Sequence, residues 1–363
     1  MMITGYTYVK KHCNPSFFMP ITDYLELNIA GECFSVYPRH VRLSEKLFHI
    51  YPLRGGKGLR SGLKWLHFSR MDGLFLRKRN KDVLLEYGTT DDALAGFLER
   101  CSVKSYAVCF FYPSKKRSSD RIYGYALNTS GEPVAYIKIA RNLDWGSLQR
   151  ECGAIGKLDS LGTLPFRYPR CLGCEPFSEN SGVAVFSMLP ETAKPLAFYE
   201  GIWEREIRQI RDSFAMSCRV VPYKDLANEL WVREFNKKIS SASAFYKAFM
   251  ETLNEGVEVS WIHGDFVGHN FRKSDGSIWL FDWEEMTESG PVLADEIGFF
   301  LCVRRYELGW SLKHVVSEFK RKYLDTPSRV AAIQAIAFLY GRNTCDISME
   351  HAMVEQWGGR QVG

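Results

Sequence analysis

Long apolar runs are missing from this 363-residue chain. None of its hydrophobic stretches approaches the ~18 residues that a membrane-spanning helix needs. The first residues, MMITGYTYVKKHCNPSF, also lack the unbroken apolar segment of a secretory signal. A cytoplasmic protein without a transmembrane segment is expected. Cysteine is thin as well: 10 residues, scattered along the whole length, are too dilute for the disulfide scaffold of a short secreted domain. Only Cys171 and Cys174 form a CxxC, and neither a second pair nor histidines follow at zinc-ligand spacing. Reduced, structural thiols are expected. Internal repeats and low-complexity tracts are absent, which excludes solenoids and long flexible linkers. With 46% hydrophobic and 25% charged residues, wholesale disorder is excluded too. The length allows one large or two to three ordinary domains, at about 150 residues each.

What is present is unevenly spread. The net charge of +5 divides into +8 over residues 1–120 (19 Lys/Arg, 11 Asp/Glu) and −3 over the remainder (28 and 31). Residues 51–81 concentrate nine basic residues around a single acid, Asp72. Such a patch suits an anionic polymer or a lipid surface, or equally a solvated basic face.

Residues 1–100 read as a mixed α/β segment ending in a helix over 93–100, with Thr90 as its N-cap and Asp91 and Asp92 complementing the helix dipole. Strands are predicted over 105–112 (SYAVCFFY), 122–127 and 134–140, with turn-forming PSKKRSSD and NTSGEP between them. The run 147–161 changes to helical period, placing Leu148, Glu151, Ile155 and Leu158 on one stripe, and 182–188 (GVAVFSM) reads as a further strand. From 193 onwards the pattern is mostly helical, broken by short strands over 257–262 and on both sides of Ser274–Ser277. The remainder reads as helical, and one helix in it is bracketed by Thr326 as N-cap, Pro327 at its first position and Gly341 past its end.

Within the helical half, residues 261–286 (WIHGDFVGHNFRKSDGSIWLFDWEEM) stand out. They place His263-Gly264-Asp265 five residues before Asn270, and a two-strand hairpin leads from there to Leu280-Phe281-Asp282. This segment resembles the catalytic core of the aminoglycoside phosphotransferase and choline kinase superfamily, whose pattern is HGDxxxxN followed by a hairpin and an apolar-apolar-Asp triplet. The resemblance implies phosphoryl transfer, which asks a protein for positioning and charge stabilisation. That reaction needs one carboxylate at the acceptor hydroxyl, with a carboxylate and a carboxamide on a magnesium ion that keeps most of its ligands as water and phosphate.

The resemblance covers roughly residues 103–340 and implies an α+β, protein-kinase-like two-lobe fold, a small antiparallel β lobe plus a larger helical lobe, with an extra N-terminal α/β segment. The implied divisions are 1–100, 101–190 and 191–363. It makes Asp265 the base, Asn270 and Asp282 the magnesium ligands, and ATP the donor. Lys138, on the third strand, and Glu151, on the apolar stripe of the following helix, become the phosphate-binding ion pair; a carboxylate in such a stripe is costly unless paired. Ser187 and Leu189 mark the hinge whose backbone meets adenine. His263 is expected to pack and hydrogen-bond inside its loop, and Asp295, in the run Gly290-Pro291 to Asp295-Glu296, to support the loop. The acceptor would be a hydroxyl of a small molecule, of aminoglycoside, amino alcohol or sugar type, recognised by 196–253 and 299–357. Glu284, Glu285 and Glu288 either attract an amine on it or are solvated. One departure is the turn PSKKRSSD, which has no glycine where protein kinases carry a Gly-rich loop. The oligomeric state is not legible. A second reading keeps the fold but makes the protein a catalytically weak kinase-like binding module, docked to an anionic partner by a separable basic leader.

Overall fold

Alternating apolar residues in the first half and 3.6-residue periodicity in the second translate into a sheet-based unit and a mainly helical one. The computed structural model describes residues 24–29, 32–38, 77–79, 84–111, 120–196 and 203–342. The turn PSKKRSSD up to residue 119 and most of the basic run 51–81 lie outside the described residues. The strands, in chain order, are β1 (Tyr24–Ile29), β2 (Glu32–Pro38), β3 (Arg77–Arg79), β4 (Ala107–Phe111), β5 (Arg121–Leu127), β6 (Pro133–Arg141), β7 (Phe166–Arg167), β8 (Cys171–Ser178), β9 (Ser181–Ser187), β10 (Lys194–Pro195), β11 (Arg219–Val221), β12 (Val257–Ile262), β13 (Phe271–Ser274), β14 (Ser277–Leu280) and β15 (Thr287–Pro291). The longer helices are α1 (Asp91–Arg100), α2 (Leu143–Ser160), α3 (Glu204–Ser213), α4 (Leu230–Lys238), α5 (Ala244–Thr252), α6 (Ala294–Cys302), α7 (Leu312–Phe319) and α8 (Arg329–Arg342). The fold class is α+β, as expected, and among the described residues no helix is long and apolar enough to cross a membrane.

The chain divides into two compact units, 1–145 with 172–188 and 146–171 with 189–363. The first is built on an eight-stranded sheet of order β3-β1-β2-β4-β5-β6-β9-β8. Period-2 alternation sorts its residues. Val108, Phe110, Ile122, Ile137, Ile139, Val183 and Val185 form one buried face together with Leu94, Phe97 and Leu98 of α1. Thr90 caps α1 as anticipated, its Oγ1 accepting from the Ala93 amide at 3.2 Å.

Residues before 101 contribute to this sheet. Strand β2 pairs with β4 (Ser35 opposite Phe111, Val36 opposite Phe110), and residues 84–98 cover an apolar face of the sheet. Strand β8 is not among the strands expected from the sequence. It holds Gly173 and Pro176, poor strand formers that an edge strand tolerates. Cys171 and Cys174 sit three apart on β8, so their side chains leave opposite faces.

In the second unit, α4, α5, α6, α7 and α8 share a core that includes Trp231, Phe235, Phe249, Ile297, Val316 and Phe338. Burying each such side chain contributes about 1.5–3 kcal/mol. The expected bracket of α8 is wrong at both ends: the helix begins at Arg329, and Gly341 lies inside it. Its glycine serves packing instead, because a Cβ there would stand 2.2 Å from the Trp231 carbonyl oxygen of α4. Two small sheets complete the unit, β10-β13-β14-β7 and β11-β12-β15. The β13–β14 hairpin has Phe271 opposite Leu280 and Ser274 opposite Ser277.

Candidate functional site

Strand β12 delivers the chain to His263, and the next eight residues form a loop whose every turn is held. The Gly264 backbone is left-handed (φ +84°), and a Cβ there would lie 2.2 Å from the Glu285 carbonyl oxygen. Only glycine fits that approach. Asp295, in the first turn of α6, accepts from both loop amides, His263 at 2.6 Å and Gly264 at 3.0 Å. Burial pushes the Asp295 carboxyl up to about 7 against the effect of those two hydrogen bonds.

His263 is fully buried. Its Nδ1 accepts from the Asp265 amide at 3.2 Å, which leaves Nε2 as the protonated nitrogen, donating to the Phe281 carbonyl at 3.1 Å. Burial brings its pKa down to about 4, so the ring is neutral. It joins the loop to the residue before Asp282 and packs on Trp283 with ring centroids 4.4 Å apart. Packing and hydrogen bonding are what its environment provides.

The Asn270 side chain, 1% exposed, turns back so that its Nδ2 donates to both the Asp265 carbonyl (2.9 Å) and the Asp265 Oδ2 (3.0 Å). That commits the amide nitrogen and leaves Oδ1 as the group's remaining donor atom for a cation. The Asn270 carbonyl in turn accepts from the Phe281 amide at 3.2 Å, docking the loop on the end of the hairpin. Asp282 follows with a left-handed backbone (φ +70°, ψ +58°). A non-glycine residue there stores about 1–3 kcal/mol of strain, a feature concentrated at functional sites. Asp265, Asn270 and Asp282 are therefore gathered in one place. Burial raises the Asp265 carboxyl above the usual range; the Asn270 hydrogen bond opposes this, and the Asp282 and Glu284 charges add to it. Among the described residues no group of three or more His, Cys, Asp and Glu could hold a metal. One carboxylate, one carboxamide and a surplus of negative charge fit a magnesium ion that draws its other ligands from phosphate and water.

Lys138, 8% exposed, occupies the middle of β6 opposite Tyr123 and Ala184, with its ammonium 5.6 Å from the Phe186 ring centroid. Glu151, 3% exposed, is on α2. Lys138 belongs to the first unit and Glu151 to the second. Ser187 ends β9 opposite Ala135, and Leu189 begins the following segment of the second unit.

Two features escaped the sequence. Glu288 is paired with Lys157, and Glu285 with Arg342 at the end of α8. Two of the three acids considered for attracting an amine are thus already matched by cations. Their partners lie 131 and 57 residues away, beyond any local pattern.

No family model matches the chain, and no curated protein matches it. Among solved structures it is similar to a thermostable mutant of aminoglycoside phosphotransferase APH(4)-Ia in a ternary complex with ADP and hygromycin B (12% identity, TM-score 0.46, 74% of this chain and 99% of that one). It is also similar to the gentamicin complex of APH(2'')-IIa (15% identity, TM-score 0.41, 75% and 97%). A third likeness is the GDP and kanamycin complex of APH(2'')-IIIa (12% identity, TM-score 0.40, 73% and 97%).

Proposed function

We propose that this protein is an ATP-dependent phosphotransferase that moves the γ-phosphate to a hydroxyl of a small molecule, with Asp265 as the base. The observation that carries this reading is the Asp265–Asn270–Asp282 arrangement, in which Asn270 Nδ2 holds the Asp265 carboxylate at 3.0 Å and Asp282 enters from a strained left-handed turn. The Asp265 carboxylate takes the proton of the acceptor hydroxyl. That oxygen forms its bond to the γ-phosphorus while the bond to the leaving ADP oxygen breaks and ADP keeps the electron pair. A buried carboxyl with a raised pKa is a stronger base than an exposed one, which suits the role. Asn270 Oδ1 and the Asp282 carboxylate would hold magnesium, which when bound offsets charge on the phosphates. Lys138 is assigned to the nucleotide's phosphates, with Glu151 as its counter-charge, and the main chain at Ser187 and Leu189 to the base.

With Glu285 and Glu288 already matched by cations, recruitment of a polycationic acceptor has less support than recognition of hydroxyls on an amino alcohol or sugar. The test is ADP release from magnesium-ATP across a panel of hydroxylated acceptors, in wild type and Asp265→Asn. The variant should retain nucleotide binding and lose about 10²-fold or more in turnover. Near-normal turnover would sink the assignment.

A further inference from the structure

Arg342 is the last residue of α8, 77 positions after Asp265, and nothing in the local sequence marks it. Its side chain turns in to the reaction centre. Nη1 donates to the Glu285 carbonyl at 2.9 Å, and Nη2 donates to the Glu285 carboxylate. Glu285 closes the turn Trp283–Glu285 that begins at Asp282. The same Glu285 carbonyl is the atom against which Gly264 packs, and Arg342 Nη1 stands 3.0 Å from the position of a Gly264 Cβ. The residue before Asp265, the turn after Asp282 and the guanidinium thus meet at one point.

We infer that Arg342 is a positioning residue that locks the Asp282–Glu285 turn against Gly264 and so sets the separation of the acceptor-side and metal-side carboxylates. The inference rests on the phosphotransferase reading for its catalytic meaning. A guanidinium suits the task because it is planar and cannot lose its proton in a protein. It takes the main-chain oxygen with one arm and the carboxylate with the other, so the turn is gripped at two atoms. Its fixed charge also acts on Asp265 as well as on Glu285, one carboxylate on each of the two segments, against the opposing charge of Arg150. A neutral side chain of similar length could replace at most one hydrogen bond and none of the charge.

The test uses the full chain with ADP as the probe, titrated with and without magnesium. In Arg342→Gln, magnesium-dependent ADP affinity should fall by about 10-fold or more, the usual loss when a group behind a metal ligand is removed. Metal-free ADP affinity should be unchanged, and Arg342→Lys should recover part of the loss. An equal loss in both metal states, or no loss, overturns the inference. Glu285→Gln, which keeps the main-chain bond, should show a smaller loss of the same kind and covers the case in which Arg342→Gln fails to fold. Hydrogen exchange supplies a readout independent of the nucleotide. Segments 261–266 and 283–288 should both exchange faster in Arg342→Gln while β5 and β6 are unaffected, and unchanged protection in either segment refutes the clamp. If magnesium fails to tighten ADP binding in wild type, the phosphotransferase reading falls, and the exchange data still decide the clamp.

Discussion

Replacing Gly264 with alanine tests how the loop is built, because two separable penalties arise at one atom. The first is conformational: a left-handed backbone (φ +84°) with a Cβ costs about 1–2 kcal/mol. The second is steric. The new Cβ would stand 2.2 Å from the Glu285 carbonyl oxygen, and ordinary contact begins more than an ångström further out, so the loop or the Trp283–Glu285 turn must move. Overpacking of this kind costs about 1–3 kcal/mol, giving a total of about 2–5 kcal/mol. Gly276, in the β13–β14 turn, is the internal control: its backbone is also left-handed (φ +75°), but a Cβ there meets nothing within 4 Å. Gly276→Ala should therefore show the conformational penalty alone. Urea and thermal unfolding of the two variants beside wild type measure the difference, expected at about 1–3 kcal/mol in favour of Gly276→Ala. The displacement falls on the residue before Asp265, so Gly264→Ala should also lower turnover by about 10²-fold, the cost of an ångström of misplacement. Equal destabilisation by the two substitutions would refute the steric argument and with it the packing of Gly264 on Glu285.

Three further outcomes follow from the same geometry. Asp282→Ala should abolish the magnesium-dependent part of the thermal stabilisation given by ATP, since Asn270 alone offers a cation one neutral oxygen; equal shifts in wild type and variant would show that Asp282 is not a ligand. Burial raises Asp295 from 3.8 to about 7 in the folded protein, so its contribution to stability is complete below pH 3.8 and is lost as pH rises through about 7. That slope, at most about 4 kcal/mol at 1.36 kcal/mol per unit, should vanish from the pH dependence of unfolding in Asp295→Asn, and an identical slope in the variant counts against it. Deleting residues 1–100 should leave aggregated protein, because it uncovers the sheet face of Val108, Phe110, Ile122, Ile137 and Ile139; a soluble, monodisperse product would mean that α1 is dispensable.

Local signals made much of the fold legible. Thr90 capped α1 as its hydroxyl and the following acids required, and the apolar segments 105–112, 122–127 and 134–140, set off by turn formers, became β4, β5 and β6 with ends shifted by one or two residues. Where the reading failed, a distant surface overrode local preference. β8 is a strand despite Gly173 and Pro176, because it lies on the edge of a sheet whose neighbour β9 is strongly apolar. α8 runs through Gly341 because that missing Cβ admits α4. The leader's place in the sheet was hidden for the same reason, since strand pairing between residues 35 and 111 leaves no mark in either segment alone.

The candidate site divides along the same line. The sequence by itself determined which donor groups are available, since His263, Asp265, Asn270 and Asp282 are close along the chain and one hairpin can bring them together. Local spacing also placed Lys138 on a strand and Glu151 on a helix stripe. Only the tertiary structure decided how those groups are held: that Asp295 takes two loop amides, that His263 is neutral because it is buried between two main-chain partners, and that Arg342 reaches Gly264 and Glu285 from the far end of α8. Covalent spacing limits what neighbours along a chain can do, whereas burial, protonation and long-range ion pairs depend on which surfaces the folded core brings into contact.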